Sequence, residues 1–170
     1  MRSLALLAAS TLTIAALASA GPSHKAAAVL KPAAGSNVAG TVNFTHADGG
    51  VRVSGRITGL TPGSHGFHVH EKGDCSAADF ASAGGHFNPT GDPHAGPKDA
   101  KRHAGDMGNI EANKEGVAEI DYVDPKLSFE GATNVVGRGV IVHEKADDLK
   151  TQPTGNAGGR VACGVVEKVE

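Results

Sequence analysis

Residues 66–71 read Gly66-Phe67-His68-Val69-His70-Glu71, and this segment decides both the fold class and the chemistry. Side chains alternate across a β-strand, so Phe67 and Val69 share one face while His68 and His70 share the other. Two apolar residues facing a core and two imidazoles on the opposite face make a strand with a metal-chelating outer side. The alternative is a pair of solvated surface histidines. The rest of the chain argues against it, since the sequence holds nine histidines in 170 residues and several are spaced as ligands.

Outward from this segment the pattern is short strands between turns. Strands are expected at 26–30, 38–44, 51–57, 66–71, 107–112, 116–122, 135–143 and 162–166. Several alternate, as in Val51-Arg52-Val53-Ser54. Turn signals separate them, among them Asp48-Gly49-Gly50, Thr61-Pro62-Gly63 and Asn113 to Gly116. No stretch reads as a long amphipathic helix. About eight strands at this spacing predict an all-β domain, an antiparallel sandwich or barrel. Two connections, Lys72 to Asp106 and Glu144 to Val161, are too long for plain loops and read as functional.

A second histidine cluster lies in the first long loop. His86, His94, His103 and Asp106 are spaced 8, 9 and 3 residues apart. Three imidazoles and a carboxylate suit tetrahedral zinc. His143 ends the strand Val140-Ile141-Val142-His143 and can join His68 and His70 in an imidazole-rich site, a donor set open to copper, zinc, iron or nickel. His65 has the parity of Phe67 and Val69 and reads as a hydrogen-bonded framework residue.

The first 20 residues stand apart from the fold. Arg2, an uncharged run over Leu4 to Ala18, and Ala18-Ser19-Ala20 make a secretory signal peptide. A membrane anchor is the competing reading, but the run is short for the ~20 apolar residues a span needs. The mature domain is then 21–170, with 15 basic and 18 acidic residues, a charge of −3. This gives no support for nucleic acid or an anionic membrane as partner. Only Cys75 and Cys163 are present. In an oxidising compartment they can pair, closing an 88-residue loop worth roughly 4–5 kcal/mol by chain entropy.

Six segments together resemble the copper-zinc superoxide dismutases. They are Gly66 to Glu71; Gly85-His86-Phe87-Asn88-Pro89; Gly96-Pro97-Lys98-Asp99; Arg102-His103-Ala104-Gly105-Asp106; Val142-His143-Glu144-Lys145-Ala146-Asp147-Asp148; and Thr154 through Gly164. The resemblance implies an eight-stranded antiparallel Greek-key barrel, an immunoglobulin-like sandwich with two long functional loops. It implies one copper ion on His68, His70, His86 and His143 and one zinc ion on His86, His94, His103 and Asp106 in each subunit. His86 then bridges both ions. It implies that Asp147 links the two sites through His68 and His94, that Arg160 attracts the superoxide anion beside the copper, and that Cys75–Cys163 ties the first loop to the barrel near Arg160.

The placing of Cys75 eleven residues before His86, and Lys150-Thr151-Gln152-Pro153 in the shortened late loop, resemble the bacterial periplasmic branch. Lys98, Lys101 and Arg102 are then candidates to steer the anion, each with a merely solvated loop residue as the alternative. The expected activity is dismutation of superoxide, with the mature protein in the periplasm and free of the membrane. A copper-binding or copper-delivery protein without dismutase activity, and an exported adhesion sandwich with structural zinc, are the competing readings. The sequence does not choose between a monomer and a homodimer.

Overall fold

A computed structural model describes residues 24–169; the expected signal peptide lies outside the described residues. Eight strands form: β1 (Lys25–Pro32), β2 (Ala39–Ala47), β3 (Gly50–Thr58), β4 (Gly63–His70), β5 (Asp106–Ala112), β6 (Ala118–Asp124), β7 (Gly139–His143) and β8 (Arg160–Lys168). Every pairing is antiparallel, in the order β5-β4-β7-β8-β1-β2-β3-β6. β5 and β6 approach each other without a hydrogen-bonded ladder, so the sheet curls into a nearly closed barrel. Non-sequential neighbours such as β4–β7 and β3–β6 give the Greek-key crossings. Among the described residues, no helix is long and apolar enough to cross a membrane.

Alternation builds the barrel. On β3, Val51, Val53 and Ile57 are buried while Arg52 and Arg56 face out and pair with Asp121 and Glu119 of β6. The interior is filled by Val42, Phe44, Val53, Ile57, Phe67, Val69, Val140 and Val142, all fully buried. Each such side chain contributes about 1.5–3 kcal/mol of hydrophobic stabilisation. Gly55 takes an inward position on β3 where any Cβ would collide with the carbonyl of Thr41 on β2. Only glycine lets the strands come that close.

The seventh strand is shorter than its sequence pattern. Residues 135–138 form a turn closed by Arg138 N–H donating to Val135 O at 3.1 Å, with Gly137 at φ 80°. Val135 is buried nonetheless, as part of the main apolar core. The apolar content of this segment marks burial, while its periodicity does not mark a strand.

Arg102 also departs from its sequence reading. It is not a solvated steering residue: it is buried, and its Nη2 donates to both oxygens of Asp124 at 2.8 and 2.9 Å. Nε donates to Pro97 O, and Nη1 donates to His103 O and Ala104 O. A charge in a polar loop has become the peg that fastens the loop around His103 to the end of β6. Lys98 and Lys101 are exposed. Removing one partner of a buried ion pair leaves the other charge stranded, so Asp124→Ala is expected to cost about 3–5 kcal/mol in urea unfolding. A loss below ~1 kcal/mol would show the tie to be dispensable.

The expected disulfide is present, joining Cys75 in the first long loop to Cys163 on β8. It lies against a small second apolar cluster of Phe80, Ala83 and Ile141, outside the barrel wall.

Candidate metal centre

β4 carries His68 and His70 on its outer face, yet both are almost fully buried, because the two long loops fold across that face. The first loop docks on β4 by backbone bonds. Phe87 N–H donates to Val69 O at 2.9 Å, Val69 N–H to Gly105 O at 3.0 Å, and Glu71 N–H to Gly85 O at 3.0 Å. This lays His86 against His70 as an isolated bridge partner. β7 delivers His143, and Asp106 opens β5.

Two four-residue donor sets result, each with its ligand atoms within 4.8 Å of one another. One is His68, His70, His86 and His143; the other is His86, His94, His103 and Asp106. His86 belongs to both.

The ring nitrogens show what these sets fit. Among the described residues, four buried side-chain nitrogens have no hydrogen-bond partner: Nδ1 of His68 and Nε2 of His70, His86 and His143. They belong to the first set. A buried polar atom without a partner is costly, and four converging ones call for a cation. The other nitrogen of each ring is committed. His68 Nε2–H donates to Asp147 Oδ2 at 2.7 Å, His70 Nδ1–H to Gly84 O at 2.9 Å, and His143 Nδ1–H to Gly158 O at 3.3 Å. These bonds fix the tautomers that leave the orphaned nitrogens free to ligate.

In the second set, Nδ1 of His86, His94 and His103 lie 2.8, 2.9 and 3.0 Å from the single oxygen Oδ1 of Asp106. His94 Nε2 is also 3.0 Å from Asp147 Oδ1. Protons alone would satisfy this only with His94 doubly protonated. A cation among the three Nδ1 atoms and Oδ1 satisfies all four at once. Asp106 Oδ2 accepts the backbone N–H groups of His103 and Ala95, which turns Oδ1 toward the rings.

Electrostatics agree with neutral ligands in the first set. Burial pulls the His70 imidazolium well below its ordinary range, His86 down to about 4 and His143 to about 3. Burial alone would raise the Asp106 and Asp147 carboxyls. Bonds from His86 and His94 on the first, and from His68 and His94 on the second, hold both below the usual carboxylate range. Burial also disfavours charge on His94, but Asp106 and Asp147 outweigh it and raise His94 to about 9.

Arg160 opens β8 beside the first set. Its Nη1 donates to Phe80 O at 2.5 Å and its Nη2 to Gly84 O at 2.7 Å, the same carbonyl that orients His70. Its side chain is only partly covered. His65 donates from Nδ1 to His143 O at 2.8 Å, with Nε2 at 2.8 Å from Thr61 O.

Two residues escape the sequence reading. Asn109 on β5 clamps the backbone of Asp147: its Oδ1 accepts the Asp147 N–H at 2.7 Å and its Nδ2 donates to the Asp147 carbonyl at 2.9 Å. Gln152 grips the backbone of His94 in the same two-pronged way, at 2.8 and 2.7 Å. The one available signal is an asparagine inside a strand, where that residue is depleted.

Comparison with known proteins agrees with this geometry. The family described as Copper/zinc superoxide dismutase matches residues 38–166. The Cu-Zn superoxide dismutase A of Xenopus laevis is 48% identical over 149 residues, 84% of this chain and 96% of its own. The crystal structure of the clock protein EA4 is similar at a TM-score of 0.79 and 47% identity, over 85% of this chain and 94% of that one. With two donor sets joined at one ring, and matches running nearly the length of its barrel, this chain belongs to the copper/zinc superoxide dismutase family.

Proposed function

We propose that the protein dismutates superoxide, with one copper ion on His68, His70, His86 and His143 and one zinc ion on His86, His94, His103 and Asp106. The observation that carries the assignment is His86, whose Nδ1 faces the second set while its buried Nε2 is orphaned within the first. Bound copper supplies the one-electron chemistry, in which two superoxide anions and two protons become oxygen and hydrogen peroxide. His86 holds a proton at Nε2 in one half of the cycle and gives it up to product in the other. Arg160, held by Phe80 O and Gly84 O, draws the anion in and orients it. Asp147 keeps His68 and His94 in their ligating tautomers.

A protein that only carries copper would need the first set alone. The second set, the shared ring and Asp147 across both sets favour the enzyme. The test is a superoxide assay on protein loaded with copper and zinc, with metal content and the copper electron paramagnetic resonance spectrum measured on the same sample. One copper and one zinc per chain with rapid dismutation is the expected result. Metal-replete protein without activity would favour the carrier.

Arg160→Ala is expected to lower kcat/KM by roughly tenfold or more and to flatten its dependence on ionic strength, since focusing of an anion is worth ~10–10³ in on-rate. An unchanged rate at low salt would remove Arg160 from the steering role.

We further place the mature chain, 21–170, in the periplasm. The leader pattern, Arg2 followed by an uncharged run over Leu4 to Ala18, and the Cys75–Cys163 disulfide support that location. A signal-peptidase cut after Ala20, read by N-terminal sequencing of secreted protein, tests it.

A further inference from the structure

Phe80 holds a backbone conformation that a bulky residue avoids, φ 58° and ψ 19°. The left-handed region suits glycine, and asparagine next. Among the described non-glycine residues only Phe80, Leu149 and Asn156 have positive φ. Outliers of this kind persist where the surroundings over-determine them.

Phe80 begins a turn, Ala81–Ala83, that ends on Gly84 at φ 74°. The carbonyls of these two positive-φ residues are the two acceptors that hold the Arg160 guanidinium. Bonds within the loop shape this turn. Asp79 Oδ1 accepts the Ala81 N–H at 2.9 Å, and Ser82 Oγ donates to Asp74 O at 2.9 Å and accepts the Ala77 N–H at 3.1 Å. None of these three bonds reaches the barrel, whereas the far end of the turn is tied to β4 and the residues just after it. His70 Nδ1–H donates to Gly84 O at 2.9 Å, Lys72 N–H to Ala83 O at 3.1 Å and Glu71 N–H to Gly85 O at 3.0 Å, which leaves the Phe80 end without such a tie. The disulfide also reaches the barrel, but from Cys75, five residues before Phe80, so it tethers the loop without setting the height or rotation of the Phe80 end.

The ring of Phe80 fastens the end of the turn that the disulfide and these hydrogen bonds leave free. It is buried with Ala83, Ile141 and Cys163. Ile141 lies two residues before His143 on β7, and Cys163 lies three after Arg160 on β8. The ring thus seats the turn on the two strands that carry a metal-set histidine and the guanidinium itself.

We propose that Phe80 is a positioning residue: its buried ring fixes the Phe80 end of the turn, so that its carbonyl joins that of Gly84 in aiming Arg160 at a small incoming anion. This rests on the dismutase reading for its consequence in rate, but not for its effect on Arg160.

The test compares Phe80→Ala, Phe80→Asn, Phe80→Leu, Arg160→Ala and the double variant Phe80→Ala/Arg160→Ala. In protein loaded with zinc alone, which is diamagnetic, the Arg160 guanidinium N–H resonances should be separate in the parent protein and in Phe80→Leu. They should average by rotation in Phe80→Ala and Phe80→Asn. With copper and zinc bound, kcat/KM should fall roughly tenfold in the Ala and Asn variants, the low end of what anion focusing provides. Phe80→Leu should restore it to within about twofold, and the copper resonance spectrum should not change.

The double variant should match Arg160→Ala alone, because both changes remove one and the same interaction. Asparagine relaxes the left-handed backbone while deleting the ring, so its loss would assign the effect to the ring. If Phe80→Ala does not fold, Phe80→Asn takes its place in the cycle. Unchanged Arg160 resonances without the ring, or additive losses in the double variant, would overturn the proposal. A parent protein inactive toward superoxide would sink the dismutase reading instead, and the resonance comparison would still decide the role of Phe80.

Discussion

His86→Ala is expected to abolish rapid dismutation while leaving the barrel intact. The side chain contributes nothing to the hydrophobic core, and the backbone bonds of Phe87 and Gly105 to β4 keep the loop docked. What the substitution removes is the one ring with a nitrogen in each donor set. The first set falls to three imidazoles and the second to two imidazoles and a carboxylate. The proton that His86 Nε2 would carry has no substitute, because no other orphaned nitrogen belongs to both sets. Loss of a positioned proton carrier alone is worth ~10²–10⁴ in rate. A fall in kcat/KM of at least about 100-fold is therefore expected in pulse-radiolysis decay of superoxide, with a changed copper resonance spectrum and unchanged far-ultraviolet circular dichroism. Activity within tenfold of the parent, with both metals bound, would rule out the shared ring as the working element.

The legible and illegible parts of this protein divide along a physical line. Local period carries the strands: Val51-Arg52-Val53 and Phe67-His68-Val69-His70 show their two faces in the sequence, and the structure buries the apolar faces as the alternation requires. Period fails at 135–138, where Gly137 turns the chain and Val135 enters the core from a turn that has no strand periodicity. Arg102 misleads because its partner Asp124 is 22 residues away and arrives only through the packing of β6 against the loop. Asn109 and Gln152 grip backbones 38 and 58 residues distant, and nothing local announces either contact.

Within the metal sets, strand parity makes His68 and His70 partners. The spacing of His86, His94 and His103 can only suggest a cluster. Which nitrogen of each ring is free is a matter of distances to Asp147, Gly84 and Gly158, and those exist only once both long loops have closed over β4.

Asp147→Asn is expected to weaken copper while sparing zinc, whereas Asp147→Ala weakens both. Asp147 accepts from His68 Nε2–H at Oδ2 and from His94 Nε2–H at Oδ1, and Oδ1 also accepts the Leu149 N–H at 2.7 Å. Asn109 fixes the backbone beneath it, and Gly155 leaves the space, since any Cβ there would collide with Oδ1. An amide has one accepting oxygen and one donating nitrogen. Two donors converge on the Oδ1 side, so the oxygen of the introduced amide must settle there and its NH2 must face His68.

His68 can answer that donor only by accepting at Nε2, which moves its proton to Nδ1, the orphaned atom of the first set. The ring is then in the wrong tautomer to ligate, while His94 keeps its bond. Removing such an outer partner typically costs ~10–100-fold in metal affinity. Chelator competition should therefore show copper alone weakened by about that factor in Asp147→Asn, and copper and zinc both weakened in Asp147→Ala. Equal losses of the two metals in Asp147→Asn would mean that Asp147 acts through its charge. A loss confined to copper would mean that it acts by deciding where two protons sit.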